Sequence, residues 1–149
     1  MRIRQLLGGL AAGLLLAAPL AQAQQYEQYG DYQIHYNALN TSFLTPEVAT
    51  AAGIQRSRAM GMLNVSVLEE QEDGTTRSVN ARVDGKVSGL TGQPLSLDFR
   101  AVRDGESLYH IATFRIHEGE PMRFELEVSP DPDAPPAEIG FVQRFYIDR

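Results

Sequence analysis

The chain predicts an all-β fold: an immunoglobulin-like, antiparallel β-sandwich of about seven or eight strands with one short helix after the first strand. Three observations predict it. Apolar and polar residues alternate at period two along most of the chain beyond its first two dozen residues. Glycine-bearing turn pairs punctuate that alternation. The 149 residues include no cysteine, so a single domain of this size is held by packing rather than by crosslinks.

Taken in order, residues 1–23 have the form of a cleaved export signal. Arg2 and Arg4 give a positive start, Leu6 to Leu16 an apolar run too short to span a bilayer comfortably, and Ala21-Gln22-Ala23 a small-x-small cleavage site. Residues 24–149, roughly 126 residues, then form the one domain. Its expected location is the periplasm. No cysteine follows the cleavage site to carry a lipid, and no second long apolar run suggests a membrane anchor, so no membrane insertion is expected after cleavage.

The strands follow from the alternation. Tyr32, Ile34 and Tyr36 share one face of the first. Leu63, Val65 and Val67 alternate with Asn64 and Ser66, and Val79, Ala81 and Val83 with Asn80, Arg82 and Asp84. Leu95, Leu97, Phe99 and Ala101 read as one strand. Leu108, Ala112, Phe114 and Ile116 share a face, Met122 to Val128 alternates strictly, and Phe141 to Ile147 closes the fold. Asp73-Gly74 and Asp104-Gly105 are hairpin turn pairs, and Glu118-Gly119-Glu120-Pro121 is another tight connection. Thr45-Pro46-Glu47 starts a helix of about two turns that Gly53 ends, with Thr as N-cap and Pro at the first helical position. That helix is expected to plug one open end of the sandwich. The proline-rich stretch from Ser129 to Pro136 cannot form a ladder and reads as a crossover loop delivering the final strand.

Charge argues against nucleic acid as a partner. The chain has 13 basic and 19 acidic residues, net −6, and removing Arg2 and Arg4 with the leader leaves −8. A phosphate-binding surface needs clustered basic residues, and only Arg56 and Arg58 lie close together.

Several stretches carry a family likeness: His35-Tyr36-Asn37-Ala38, Phe43-Leu44-Thr45-Pro46-Glu47-Val48-Ala49, Ile54-Gln55-Arg56-Ser57 and Leu63 to Val67. Further on, Gly92-Gln93, Leu97-Asp98-Phe99-Arg100 and Phe145-Tyr146-Ile147-Asp148 extend it over nearly all of the chain beyond the leader. The sequence resembles the domain-of-unknown-function family 4426, small exported proteins of gammaproteobacteria. The resemblance implies export and a single β-rich domain. It implies no activity and no catalytic residue.

Candidate sites are sparse. Tyr29, Asp31, Gln33, His35 and Asn37 project one way if the first strand is regular, a row able to hydrogen-bond a sugar or peptide. A solvated face with cross-strand pairs accounts for the same row more simply. Asn37, Asn40 and Thr41 precede the helix, where bracing of turns is the plainer role. A pocket, where one exists, is expected where the first strand, the helix start and Arg56 and Arg58 meet, a place suited to a carboxylate or phosphate. His110 and His117 fall on opposite faces of one strand, with His110 on the dry side. A copper or zinc site would draw on His35 with Asp31, or on Met60 and Met62, although core packing explains the methionines equally well. Ser57, Ser66, Ser78, Ser88, Ser96 and Ser107 lack a nucleophile-elbow context, and Asp98 with Arg100 has the spacing of a surface ion pair. No catalytic residue and no cofactor is assigned. The expected role is a non-catalytic binding or accessory module for a protein, peptide or envelope component; the competing one is a small metal carrier or hydrolase using His35 and its neighbours.

Overall fold

The computed structural model describes residues 25–147, so the leader expected over residues 1–23 lies outside the described residues. Two antiparallel sheets face each other. One contains β1 (Gln25–Tyr29), β2 (Tyr32–Asn40), β3 (Met60–Glu70), β4 (Thr76–Val79), β7 (Arg100–Asp104) and β8 (Ser107–Arg115). The other contains β5 (Arg82–Ser88), β6 (Leu95–Leu97), β9 (Pro121–Ser129) and β10 (Ala137–Arg144). The orders are β1-β2-β3-β8-β7, with β4 also on β3, and β10-β9-β5-β6. The sandwich class is as the alternation predicts. The strand count is higher, because three stretches read as single strands or leads are divided.

Each division has a local cause. Before the expected first strand, Gln25–Tyr29 folds back as a hairpin on β2 through Gly30, whose φ of +60° suits the first central position of a two-residue turn. Tyr29 therefore stands opposite Tyr32 and shares its core-facing side, and Asp31 sits in the turn, so neither belongs to a row with Gln33, His35 and Asn37. The helix accordingly follows the second strand. The stretch around Val79 to Val83 changes sheets at Asn80-Ala81, and the stretch from Leu95 to Ala101 changes sheets at Asp98-Phe99. Asn80 pins the first corner by accepting from the Ala81 N–H at 2.9 Å, a donor that has left its ladder. Glu118 to Pro121 links the two sheets as well, whereas Asp73-Gly74 and Asp104-Gly105 close true hairpins at positive-φ glycines.

The core lies between the sheets. Ile34, Leu63, Val65 and Val67 face Phe124, Leu126, Val128 and Ile139, all buried. Phe124 is the hub of the aromatics: it stacks on Phe141 at 4.8 Å and meets Phe114 edge-on at 5.1 Å. The stretch from Ser129 to Pro136 is not a crossover; β10 returns directly beside β9, Ala137 opposite Val128. Beyond β10 the chain leaves the ladder but stays fastened, with Phe145 buried and the Tyr146 carbonyl accepting from Asn40 Nδ2 at 2.8 Å.

α1 (Pro46–Ala52) begins as read, with Thr45 Oγ1 accepting from Val48 N at 3.2 Å and Gly53 at φ +70° closing it. Its place differs from the expectation. It lies over the outer face of the six-stranded sheet rather than in an open end, because Leu39, Met62, Ile111 and Val102 make an apolar patch there that water would otherwise cover. Arg100 ties it down: its Nη2 donates to the carbonyls of Ala52 at 2.7 Å and Gly53 at 2.6 Å, satisfying the helix C-terminus. Arg100 is thus a helix clamp and not the ion-pair partner of Asp98.

Gly61 tests this packing. A Cβ there would stand 2.4 Å from the ring of Phe114, its cross-strand neighbour. Gly61→Ala is expected to destabilise the fold by about 1–3 kcal/mol in urea unfolding, as overpacked cores do, while Val142→Ala on the exposed face of β10 stays within about 0.5 kcal/mol.

Candidate functional site

The site begins with a shared strand edge. One edge of β3 pairs with β2 along its length. The other is divided: Met60 to Val65 pair with β8, and Val67 to Glu70 pair with β4, leaving Ser66 where the partners change. Past Val65, β8 must diverge to make room for β4. Its Leu108 N–H then donates to Ser78 Oγ at 2.9 Å in place of a ladder carbonyl. His110 fastens the same place from the core side, with Nδ1 3.3 Å from the Val65 carbonyl and Nε2 3.1 Å from Asn80 Oδ1. It is buried and hydrogen-bonded, facing the core with Leu108, Ala112 and Phe114.

On the outer face the fork opens a trough of about 340 Å³, lined among others by His35, Asn37, Asn64, Ser66, Ser78 and Tyr109. Short hydroxyl side chains at Ser66 and Ser78 leave it unfilled. Asn64 faces Asn37 across the β2–β3 ladder, and its Oδ1, buried, has no hydrogen-bond partner among the described residues. Such a group is costly to leave unmatched.

His35 is held in one orientation. Gln33 Nε2 donates to Glu70 Oε2 at 3.0 Å, which fixes the amide so that its Oε1 faces His35 Nε2 at 3.1 Å. An amide oxygen only accepts, so Nε2 carries the hydrogen and the neutral ring presents a bare Nδ1. The Tyr26 ring stacks on the imidazole at 5.0 Å. Burial lowers the His35 pKa below its ordinary 6.5, so the ring is neutral at pH 7. Ser66 stands opposite His35 in register, yet no hydrogen bond joins them, so no activated hydroxyl is set up.

The remaining sequence candidates do not gather here. Asp31 is exposed in the β1–β2 turn, its carbonyl accepting from Glu70 N. Arg56 and Arg58 are exposed on the segment after α1; Arg56 reaches only the Ser42 carbonyl at 3.2 Å. A cavity of about 620 Å³ does lie beside that segment, lined by Gln55, Ser57, Asp98 and Arg100 among others, but neither Arg56, Arg58 nor the strand bearing His35 lines it, so the expected junction does not form. Met62 belongs to the small cluster with Ile54 and Ile111, and Met60 is half-buried. In register Met62 faces Leu39, four residues from His35 along β2, about 13 Å, so the imidazole and the thioethers cannot share an ion. Asn40 and Thr41 brace backbone: Thr41 Oγ1 accepts from Ser57 N and donates to the Ser57 carbonyl, both at 2.9 Å. His117 is exposed, with Nδ1 3.2 Å from Glu120 Oε2. Asn64 and Tyr109 carry no signal in the sequence as site residues, since an asparagine between Leu63 and Val65 has the same pattern as any solvated strand position.

A family model described as "Domain of unknown function (DUF4426)" matches residues 26–148. The fold is similar to the crystal structure of a DUF4426 family protein from Pseudomonas aeruginosa PAO1, with a TM-score of 0.72 and 34% identity over 86% of this chain and 98% of that one. It is also similar to FetP of uropathogenic Escherichia coli, recombinantly expressed in the periplasm, at a TM-score of 0.61 and 9% identity over 85% of this chain and 96% of that one. A copper-bound variant of FetP gives a TM-score of 0.60 and 10% identity over 84% and 96%. The FetP likeness is one of fold alone. No curated protein matches the sequence.

The tautomer of His35 is open to measurement. Nitrogen-15 spectra of the neutral ring are expected to show a bare Nδ1 and a protonated Nε2, and Glu70→Ala, which frees the Gln33 amide to turn, is expected to mix the two tautomers. A wild-type ring protonated at Nδ1 contradicts the relay. Stability should also follow pH in one direction. Burial lowers the pKa of both His35 and His110, for His110 against the pull of the Val65 carbonyl. The unfolded chain therefore takes up protons near 6.5 that the folded chain resists, and stability present above pH 6.5 is lost as pH falls below it. Urea midpoints are expected to hold level from pH 8 to 7 and drop toward pH 5, with a shallower drop in His110→Gln.

Proposed function

The chain belongs to the DUF4426 family, and we propose that it acts as an exported, periplasmic, non-catalytic binding module whose ligand occupies the trough at the β3 fork. The single observation that carries this reading is the buried, unpartnered Oδ1 of Asn64, a residue that lines the cavity together with His35, Asn37 and Ser66. A group that costs free energy in the free protein recovers it when a ligand supplies the missing hydrogen. Export is supported by the leader pattern of residues 1–23. Among the described residues no helix is long and apolar enough to cross a membrane.

Copper handling of the kind that FetP's bound copper brings to mind draws no support from the side chains. Among the described residues no three His, Asp, Glu or Cys come together as a metal-holding group, and His35 is remote from Met60 and Met62. A hydrolytic reading lacks a hydroxyl bonded to His35.

A photocrosslinking residue placed at Asn37, exposed on the rim of the trough, tests the proposal in the chain's own host. One discrete adduct is expected in the osmotic-shock fraction, and none when the same residue replaces Glu127 on the outer face of the other sheet. Equal adducts at both positions, no adduct at Asn37, or protein confined to the cytosol would each overturn it.

A further inference from the structure

Asn64 and Tyr109 also line a second groove of about 380 Å³ that runs between α1 and the sheet. Its floor is Leu39, Met62, Val102 and Ile111, Ala51 and Ala52 on the helix are too short to fill the space above that floor, and Arg103 and Asp104 stand at its edge. The outer face of the six-stranded sheet thus carries two adjoining grooves, one mainly polar and one mainly apolar, that share Asn64 and Tyr109.

Two acceptors beside the trough lack a hydrogen. Asn64 Oδ1 is buried without a donor, and the Glu70–Gln33–His35 relay leaves Nδ1 of His35 as a lone-pair acceptor. His35 faces Ser66 and Asn37 faces Asn64 in register, so His35 and Asn64 are diagonal neighbours, about 7–8 Å apart, within reach of one small head group bearing two or three N–H bonds. Negative charge is in excess on the processed chain, at −8 once Arg2 and Arg4 are removed from the net −6, which favours a cationic head over an anionic one.

Resting on the binding-module reading, we propose that the ligand is a primary amine carrying an apolar chain, its ammonium hydrogens received by Asn64 and His35 and its chain laid along the floor beneath α1. A carboxylate head would leave both acceptors unmatched, and a quaternary ammonium would bring charge without hydrogens.

Hexylamine, hexyltrimethylammonium and hexanoate, titrated into the processed protein at pH 7.5 and followed by amide NMR shifts, separate these cases. Saturable binding of hexylamine is expected, at least tenfold tighter than either analogue, with the largest shifts at His35, Asn64, Val102 and Tyr109. Asn64→Leu, close in shape but without the acceptor, is expected to weaken hexylamine at least tenfold, and Ala51→Trp, which fills the groove from the helix, to abolish it. Equal binding of all three compounds, shifts centred away from Asn64, or no saturable binding would overturn the inference; the shift map of the unaltered protein decides the matter even where a variant fails to fold. An adduct at Asn37 in cells together with no hexylamine binding would remove the amine assignment and leave the binding module standing. Hexylamine bound beside Asn64 with no cellular adduct would keep the amine site and overturn the role in the periplasm.

Discussion

A strand edge offers one row of backbone donors and acceptors, and on β3 that row is divided between β8 and β4, with Ser66 at the division. Two strands cannot occupy the same edge without one turning away, and every group freed by the turn must find another partner. The side chains of Ser78, Asn80 and His110 supply those partners. This explains why a histidine sits in the core of a cysteine-free domain: it spans from the β3 backbone to the corner where the chain leaves the first sheet. The stability of the sandwich and the presence of a trough on its outside have the same origin.

The outer face of the six-stranded sheet is handled in two ways. Where it is apolar, around Met62 and Ile111, α1 covers it, held by the Thr45 cap at one end and the Arg100 guanidinium at the other. Where it is polar, from Gln33 to Asn64, it is left open. A seven-residue helix has little stability of its own, so its position depends on Arg100 and on the small cluster beneath it. The helix therefore sets the height of the groove, and its alanines set how much of that groove stays empty.

Much of the sandwich was legible because period-two alternation is a direct imprint of one dry and one wet face. Met122 to Val128 alternates without exception, and β9 is accordingly central to its sheet, between β10 and β5. The caps of α1 were legible for a similar reason, since Thr45, Pro46 and Gly53 each satisfy a local backbone requirement. Sheet changes at Asn80-Ala81 and Asp98-Phe99 were not, because alternation continues through a corner while the partner strand changes. The position of α1 was hidden as well: nothing local separates a helix that plugs an end from one that covers a face. Of the site, His35 and Asn37 were visible as a polar row, but the row's meaning depends on Asn64 and Ser66 opposite, and pairing across 27 or 31 residues leaves no local trace.

The chemistry of the trough turns on the residue between Glu70 and His35. A carboxylate in direct contact with an imidazole stabilises its charged form and raises its basicity. An amide in that position passes on orientation without charge: Glu70 fixes Gln33, Gln33 fixes the ring, and the ring remains a neutral acceptor whose pKa burial lowers. That arrangement suits recognition of a donor better than removal of a proton. With Ser66 left unbonded to the ring and Asn64 Oδ1 without a hydrogen-bond partner among the described residues, the outer face of the fork offers bare acceptors and no activated hydroxyl.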